Sequence, residues 1–244
     1  MDEQSQDKQQ NAPQDPTLLP IPKELPILPL HGFVFFPGMG FPLQVASGTS
    51  KQLVDEAMEG DRMVGLVLCH KKDVGDNDTI SSDDLHHVGA VGYVHKISKT
   101  EEGYYQVLVS GIHKLSVDKF TREHPYIKGE ISILPMQVNE RDSETEALIL
   151  GIRKEFKKLG DLIKLPAEIM ATLDAITDPF HVAYLVSSQL SLRVNKEQEI
   201  LEIVEVNLLL RRVARELNRR VSTAEMSNKL QEDIKKDIDT CLLY

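Results

Sequence analysis

An α+β fold is predicted, with a small, partly closed β-barrel or sandwich first and an all-α bundle ending in a long helix second. Two observations predict it. Over residues 25–138, short β-branched and aliphatic runs are separated by Pro, Gly, Asn and Asp, the pattern of strands joined by turns. Beyond about residue 140 the apolar spacing lengthens from two to near 3.6, the repeat that aligns side chains on one face of a helix. The expected organisation is a disordered tail over residues 1–24, a β-subdomain over 25–138, a helical bundle over 139–207 and a long projecting helix over 208–244.

The tail is rich in Gln, Asp and Pro and carries almost no large apolar side chain before Leu18, so it buries too little surface to offset its ordering entropy. At Leu25 the character changes. Leu25, Ile27, Leu28 and Leu30 are punctuated by Pro26 and Pro29, which lack backbone donors and suit a sheet edge. Residues 33–45 are the most apolar stretch, and the breaks at Pro37-Gly38 and Pro42 predict two short strands about a tight turn. Thr49 and Gln52 have capping-box spacing ahead of Leu53, Val54, Ala57 and Met58, which share a helix face, with Gly60 as the stop. Met63–Cys69 is an unbroken aliphatic run that fits a buried strand. Residues 71–84 have little to bury and read as an exposed loop. Strands are expected at 88–97, 104–109, 112–120 and 126–134, the first two closed into a hairpin by residues 100–103.

In the second half, Ser143 and Glu146 form a capping box, and Leu148, Ile152, Phe156, Leu159 and Ile163 make one apolar stripe. Pro166 suits the first turn of the next helix, Asp178-Pro179 is an N-cap followed by proline, and Asn195 with Gln198 repeats the capping spacing. The last helix is expected over about residues 208–239, with Leu210, Val213, Leu217, Val221 and Ala224 continuing into Leu230, Ile234 and Ile238. Roughly 50 Å long at 1.5 Å per residue, it exceeds what a small bundle covers and is expected to project toward another domain or chain.

Composition narrows the function. The 244 residues are 41% hydrophobic and carry a net charge of -10, which argues against nucleic acid or an anionic membrane as the main partner. Cys69 and Cys241 are the only cysteines, so no disulfide framework is indicated and a reducing, cytoplasmic location is expected. Residues 1–14 lack the apolar core of a signal peptide, and no apolar run approaches the ~20 residues that cross a bilayer. Cys69-His70 and His86-His87 are adjacent pairs that structural zinc sites rarely use, so no metal is expected. No phosphate loop of the form G-x-x-x-x-G-K-[ST] occurs, no nucleophile–base–acid set stands out, and neither cofactor nor catalytic residue is assigned.

A family resemblance is carried by an ordered series of segments. Leu28-Pro29-Leu30, Val34-Phe35-Phe36-Pro37-Gly38-Met39 and Pro42-Leu43 come first, then Val88-Gly89-Ala90-Val91-Gly92 and Tyr105-Gln106-Val107-Leu108-Val109. Gly111-Ile112-His113-Lys114-Leu115 and Glu123-His124-Pro125-Tyr126 follow, ahead of the helical half. Over about residues 25–239 the chain resembles the N-terminal domain of Lon proteases. The resemblance implies a PUA-like β-subdomain and a helical subdomain that help a hexameric protease select unfolded or damaged proteins. It implies as partners those client proteins, the ATPase and peptidase domains of a full-length protease, and other copies of the chain. Cys241-Leu242-Leu243-Tyr244 departs from the charged continuation of the family.

A surface for unfolded chains exposes apolar side chains, and Phe33, Phe35, Phe36, Met39 and Phe41 are the richest source. Strand alternation turns some of them inward; Phe36, Met39 and Phe41, beside the Pro-Gly turn, are expected to stay accessible. Of Tyr104 and Tyr105, one is expected buried and the other exposed. Met226 on the long helix is a further candidate, its flexible thioether suiting varied contacts. Arg211, Arg212, Arg215, Arg219 and Arg220 are expected to form an ion-paired, solvated face.

Overall fold

The computed structural model describes residues 15–46, 48–71, 80–136 and 143–241. Residues 1–14 of the tail expected over 1–24, residues 72–79 of the expected loop, the changeover near residue 140 and residues 242–244 lie outside that set, while residues 15–24 are described and include a 3-10 turn at Pro16–Leu18. Among the described residues, six strands form one sheet: β1 (Glu24–Leu30), β2 (Gly40–Val45), β3 (Met63–Cys69), β4 (Leu85–Lys99), β5 (Tyr105–Arg122) and β6 (Lys128–Ile133). Their order is β2-β5-β4-β3-β1-β6. β1 and β3 run parallel, joined by a crossover that contains helix α1 (Gly48–Glu59), and the other pairs are antiparallel.

Every residue of β3 is buried, as a continuous aliphatic run requires of a strand covered on both faces. One face packs Leu28, Leu30, Phe35, Leu43 and Val45 against Leu53, Val54 and Ala57 of α1. The other packs Leu25, Ile27, Met63, Val67 and Leu115 against Val117 and Ile127. β5 is long enough to serve two outer partners: Gly40–Val45 pairs with its first half, and β6 pairs with its second half while also pairing with β1. The sheet therefore curls through β6 but leaves β2 at an outer edge, so it is not a closed barrel.

Two strand expectations are corrected. Residues 33–45 give one strand, not two, because residues 31–39 are irregular and send successive rings into different cores. Phe35 joins the core of the sheet, while Val34 and Phe36 join the core of the helices. The strands expected at 104–109 and 112–120 are one continuous β5, and Gly111 is not a break in it. A Cβ on Gly111 would lie 2.7 Å from the Phe36 carbonyl oxygen and 3.1 Å from the Phe35 ring, so the glycine is where the aromatic loop crosses the sheet. Gly38 closes the turn at φ +80, its N–H donating to the Gly111 carbonyl at 2.9 Å.

The helices are α2 (Ser143–Ile163), α3 (Ala167–Ala175), α4 (Pro179–Gln189), α5 (Val194–Glu202) and α6 (Val206–Cys241). α4 is the central one: Phe180, Val182, Ala183, Tyr184, Val186 and Ser187 are all buried, and His181, Leu185 and Ser188 lie on its one partly exposed face. It starts as its sequence dictates, with the Asp178 carboxylate accepting from the His181 N–H at 2.9 Å and Pro179 in the first turn. α2 and α6 lie side by side and parallel, since Thr145 bonds Asn207, Lys158 pairs with Glu225 and Asn228 donates to the Leu162 carbonyl. The expected cap at Asn195 is corrected: α5 begins at Val194, and the Gln198 amide instead donates to the Val88 carbonyl at 3.0 Å.

α6 packs through Leu209, Leu210, Val213, Leu217, Val221 and Ala224. Among the described side chains beyond Ala224, Met226, Leu230 and Ile234 are 74%, 62% and 51% exposed. The basic face is largely ion-paired: Arg211 with Glu144, Arg212 with Glu199, and Arg219 with the buried Glu216, which also takes Lys196 at 2.9 Å. No helix among the described residues is long and apolar enough to cross a membrane.

Sheet and bundle are joined by matched contacts. The Phe36 ring stacks on Tyr184 with centroids 5.1 Å apart, and a Cβ on Gly38 would meet the His181 ring at 2.6 Å. Lys114, 1% exposed, donates from Nζ to the Ile203 carbonyl at the end of α5 at 2.8 Å. Burial pulls its ammonium down to about 8. His86 stacks against His70 at 4.0 Å and faces Glu202 at 3.5 Å; burial first, then His70, lowers its pKa.

Candidate functional site

A groove of about 710 Å³ lies between β1 and β2, roofed at one end by the start of α1 and walled by residues 123–127. Its apolar lining comes from four separate segments: Leu28, Leu30 and Phe33; Phe41, Leu43 and Leu53; Ile80; and Tyr126. That size is in the range of sites that enclose a drug-sized ligand, roughly 300–1,000 Å³. Phe33 and Phe41 are held by ring contacts, 5.7 Å from each other, with Phe41 stacked 4.6 Å from the buried Phe35. The groove is thus floored by rigid core and edged by rings that remain half-exposed.

His31, Gln44, Thr49, Ser50, Glu123 and His124 supply the polar part of the lining. Glu123 accepts from the Ser82 hydroxyl at 2.6 Å and its N–H at 3.1 Å, and these bonds hold its carboxyl below the usual range. Tyr126 lies in the wall with its hydroxyl pushed up in pKa, by burial first. Arg122 stacks over the same ring at 4.8 Å, and Lys128 spends its charge on Glu56 at 3.2 Å.

The structure gathers some of the candidate residues and disperses others. Phe33 and Phe41 line the groove, and Met39 packs, partly buried, against both cores. The expectation that Phe36 is accessible is corrected: it is 1% exposed because its ring fills the joint with Tyr184. Phe35 is equally enclosed. Tyr104 and Tyr105 are not split into one buried and one exposed ring, since both are half-buried. Lys51 lies 5.9 Å and 5.7 Å from their centroids, and the Tyr105 hydroxyl donates to Asp55 at 3.1 Å, so the hairpin end is capped by α1 instead of facing a free surface. Met226 is exposed, but on α6 and away from the groove lining. Leu53 and Tyr126 went unrecognised from sequence, because each looks like an ordinary core residue until distant segments meet.

An open apolar concavity on a sheet is the kind of surface that holds a polypeptide or other ligand by desolvating its apolar side chains. Comparison with known proteins makes this specific: residues 24–219 match the ATP-dependent protease La (LON) substrate-binding domain, and the chain belongs to that family. It is similar to Lon protease of Trichlorobacter lovleyi, 33% identical over 96% of this chain and 29% of the relative. It is likewise similar to Lon protease of Syntrophus aciditrophicus, 31% identical over 93% of this chain and 29% of the relative. The chain thus spans under a third of the length of these relatives. Among solved structures, the N-terminal domain of Mycobacterium avium complex Lon protease shares the fold, with a TM-score of 0.62, 21% identity and coverage of 80% of this chain and 98% of that one.

Proposed function

We propose that the chain recognises exposed apolar segments of unfolded or damaged proteins, for delivery to the ATPase and peptidase modules of a cytoplasmic, hexameric Lon-type protease. The observation that carries this is the open groove edged by Phe33 and Phe41, in a chain of a substrate-binding family. Burying one large apolar side chain is worth about 1.5–3 kcal/mol, so a groove that takes two or three separates an unfolded client from its folded form. In this scheme residues 25–138 recognise, while residues 139–207 and 208–244 brace the sheet and lead onward.

Fluorescence anisotropy with one labelled protein in two forms, native and reduced-carboxymethylated, tests it. Binding of the unfolded form alone is expected, weakened by Ala46→Trp, which fills the groove from an exposed position. Equal affinity for both forms, or none for either, overturns the proposal.

A second role, ordering the assembly through self-association, is favoured by the exposed Met226, Leu230 and Ile234 at four-residue spacing on α6. Sedimentation of the chain against a variant with glutamate at these three positions tests it, and a monomer in both removes that role for this face. Deleting all of residues 208–244 is the poorer experiment, because it also takes Leu209, Leu210, Val213 and Leu217 out of the core.

A further inference from the structure

The two strands that border the groove each have a backbone edge without a partner among the described residues. Along β2, pairing with β5 uses alternate residues. Gly111 exchanges bonds with Gly38 and Met39, and the unshifted register from Gly40↔Ser110 to Val45↔Tyr105 then turns Phe41, Leu43 and Val45 toward β5. The backbone groups of Gly40, Pro42 and Gln44 therefore point the other way, and Pro42 needs no donor there. Along β1 the same alternation holds. The Ile27 N–H donates away from β3, to the Ile127 carbonyl at 2.8 Å, so Pro29 two residues on also points away from β3, beyond the stretch that β6 covers.

The edges are not symmetric in chemistry. Both prolines lack an N–H, so the carbonyls of Pro29 and Pro42 face outward without matching donors beside them, and the rim carries an excess of partial negative charge. The electrostatic complement of such a rim is a row of N–H groups. Only an extended polypeptide supplies donors at the two-residue repeat of a strand while also sending alternate side chains down onto Leu43, Leu53 and Tyr126. A compact hydrophobic ligand satisfies the floor but not the rim.

We propose that an extended apolar segment of a client chain occupies the groove as an added strand along β2, donating its N–H groups to the outward carbonyls there, Pro42 included. This deepens the function proposed above and rests on it. Pairing by backbone makes recognition tolerant of sequence, since every non-proline residue brings the same donor. It also makes proline within the bound stretch unfavourable, because each one removes a donor.

The test uses the 244-residue chain and three capped, neutral heptapeptides of alternating Leu and Thr, displacing a labelled, reduced-carboxymethylated protein. One peptide is unmodified, one is N-methylated at residues 2, 4 and 6, and one at residues 3, 5 and 7. Strand addition predicts that at least one methylated series binds about tenfold or more weakly than the parent, from two lost bonds of ~1 kcal/mol each with their desolvation. The parent is expected to lose affinity for both Ala46→Trp and Phe33→Ala, two independent changes to the groove. Both methylated peptides binding within twofold of a parent that remains sensitive to the groove variants overturns strand addition and leaves the groove as an apolar site. A parent peptide that does not bind, or that binds the variants unchanged, overturns strand addition at this site; the anisotropy comparison of native and unfolded clients then decides the broader proposal separately.

Discussion

Replacing Phe36 by alanine separates a joint from a recognition surface. The ring is 1% exposed, stacks on Tyr184 at 5.1 Å, and belongs to the core that also holds Phe156, Phe180 and Leu210. Truncating a buried Phe costs about 3–5 kcal/mol, through lost transfer energy and the cavity left behind. The stacked geometry accounts for about 0.5–1.5 kcal/mol that no aliphatic replacement recovers. Against a total stability of about 5–15 kcal/mol the variant is expected to fold but only just. Urea unfolding followed by circular dichroism reads the effect: with m near 2–3 kcal/mol/M, the midpoint falls by roughly 1.5 M at nearly constant m. Phe36→Leu, which keeps most of the volume, is expected to recover more than half of the loss. An unchanged midpoint accompanied by weaker client binding refutes the assignment, because it makes Phe36 a contact residue and not a core one.

Gly111→Ala is expected to lower stability by about 1–3 kcal/mol by forcing the aromatic loop outward, since its Cβ meets the Phe36 carbonyl at 2.7 Å; a neutral result in the same urea assay means the loop yields freely. Lys114 gives a pH signature with a defined sign. Its folded pKa, about 8, lies below the unfolded value of 10.5, so the unfolded chain holds more protons between these values and stability rises with pH across that window. The gain is at most about 3 kcal/mol. It is expected to be absent from Lys114→Met, and parallel midpoint-versus-pH curves for the two proteins from pH 7 to 10 count against it.

The distinction between Phe36 and Phe33 shows how far the sequence reaches. Both are rings in one apolar run, with nothing in their neighbours to mark one as joint and the other as groove. The difference arises because residues 31–39 abandon the strand period that sequence patterning assumes. The run crosses Gly111, and consecutive side chains fall into the cores of two layers. Gln198 is a similar case. Its spacing from Asn195 suits a cap, yet the Val88 carbonyl, brought close only by docking of the bundle, offers its amide a buried partner.

Local chemistry alone determined much of this protein. The α+β order, the buried aliphatic β3 and the Asp178-Pro179 helix start follow from periodicity and capping, which act within a few residues, whereas Pro26 and Pro29, which suited a sheet edge, lie in β1 between β3 and β6. The family resemblance, an ordered succession of such segments, was equally legible. Tertiary structure alone decided the course of the curled sheet around β6, the burial of Phe35 and Phe36, the cation of Lys114 in the joint, and the groove itself. Each of these depends on which distant surfaces share a cavity or a hydrogen bond, and burial is a property of that pairing, not of the residue.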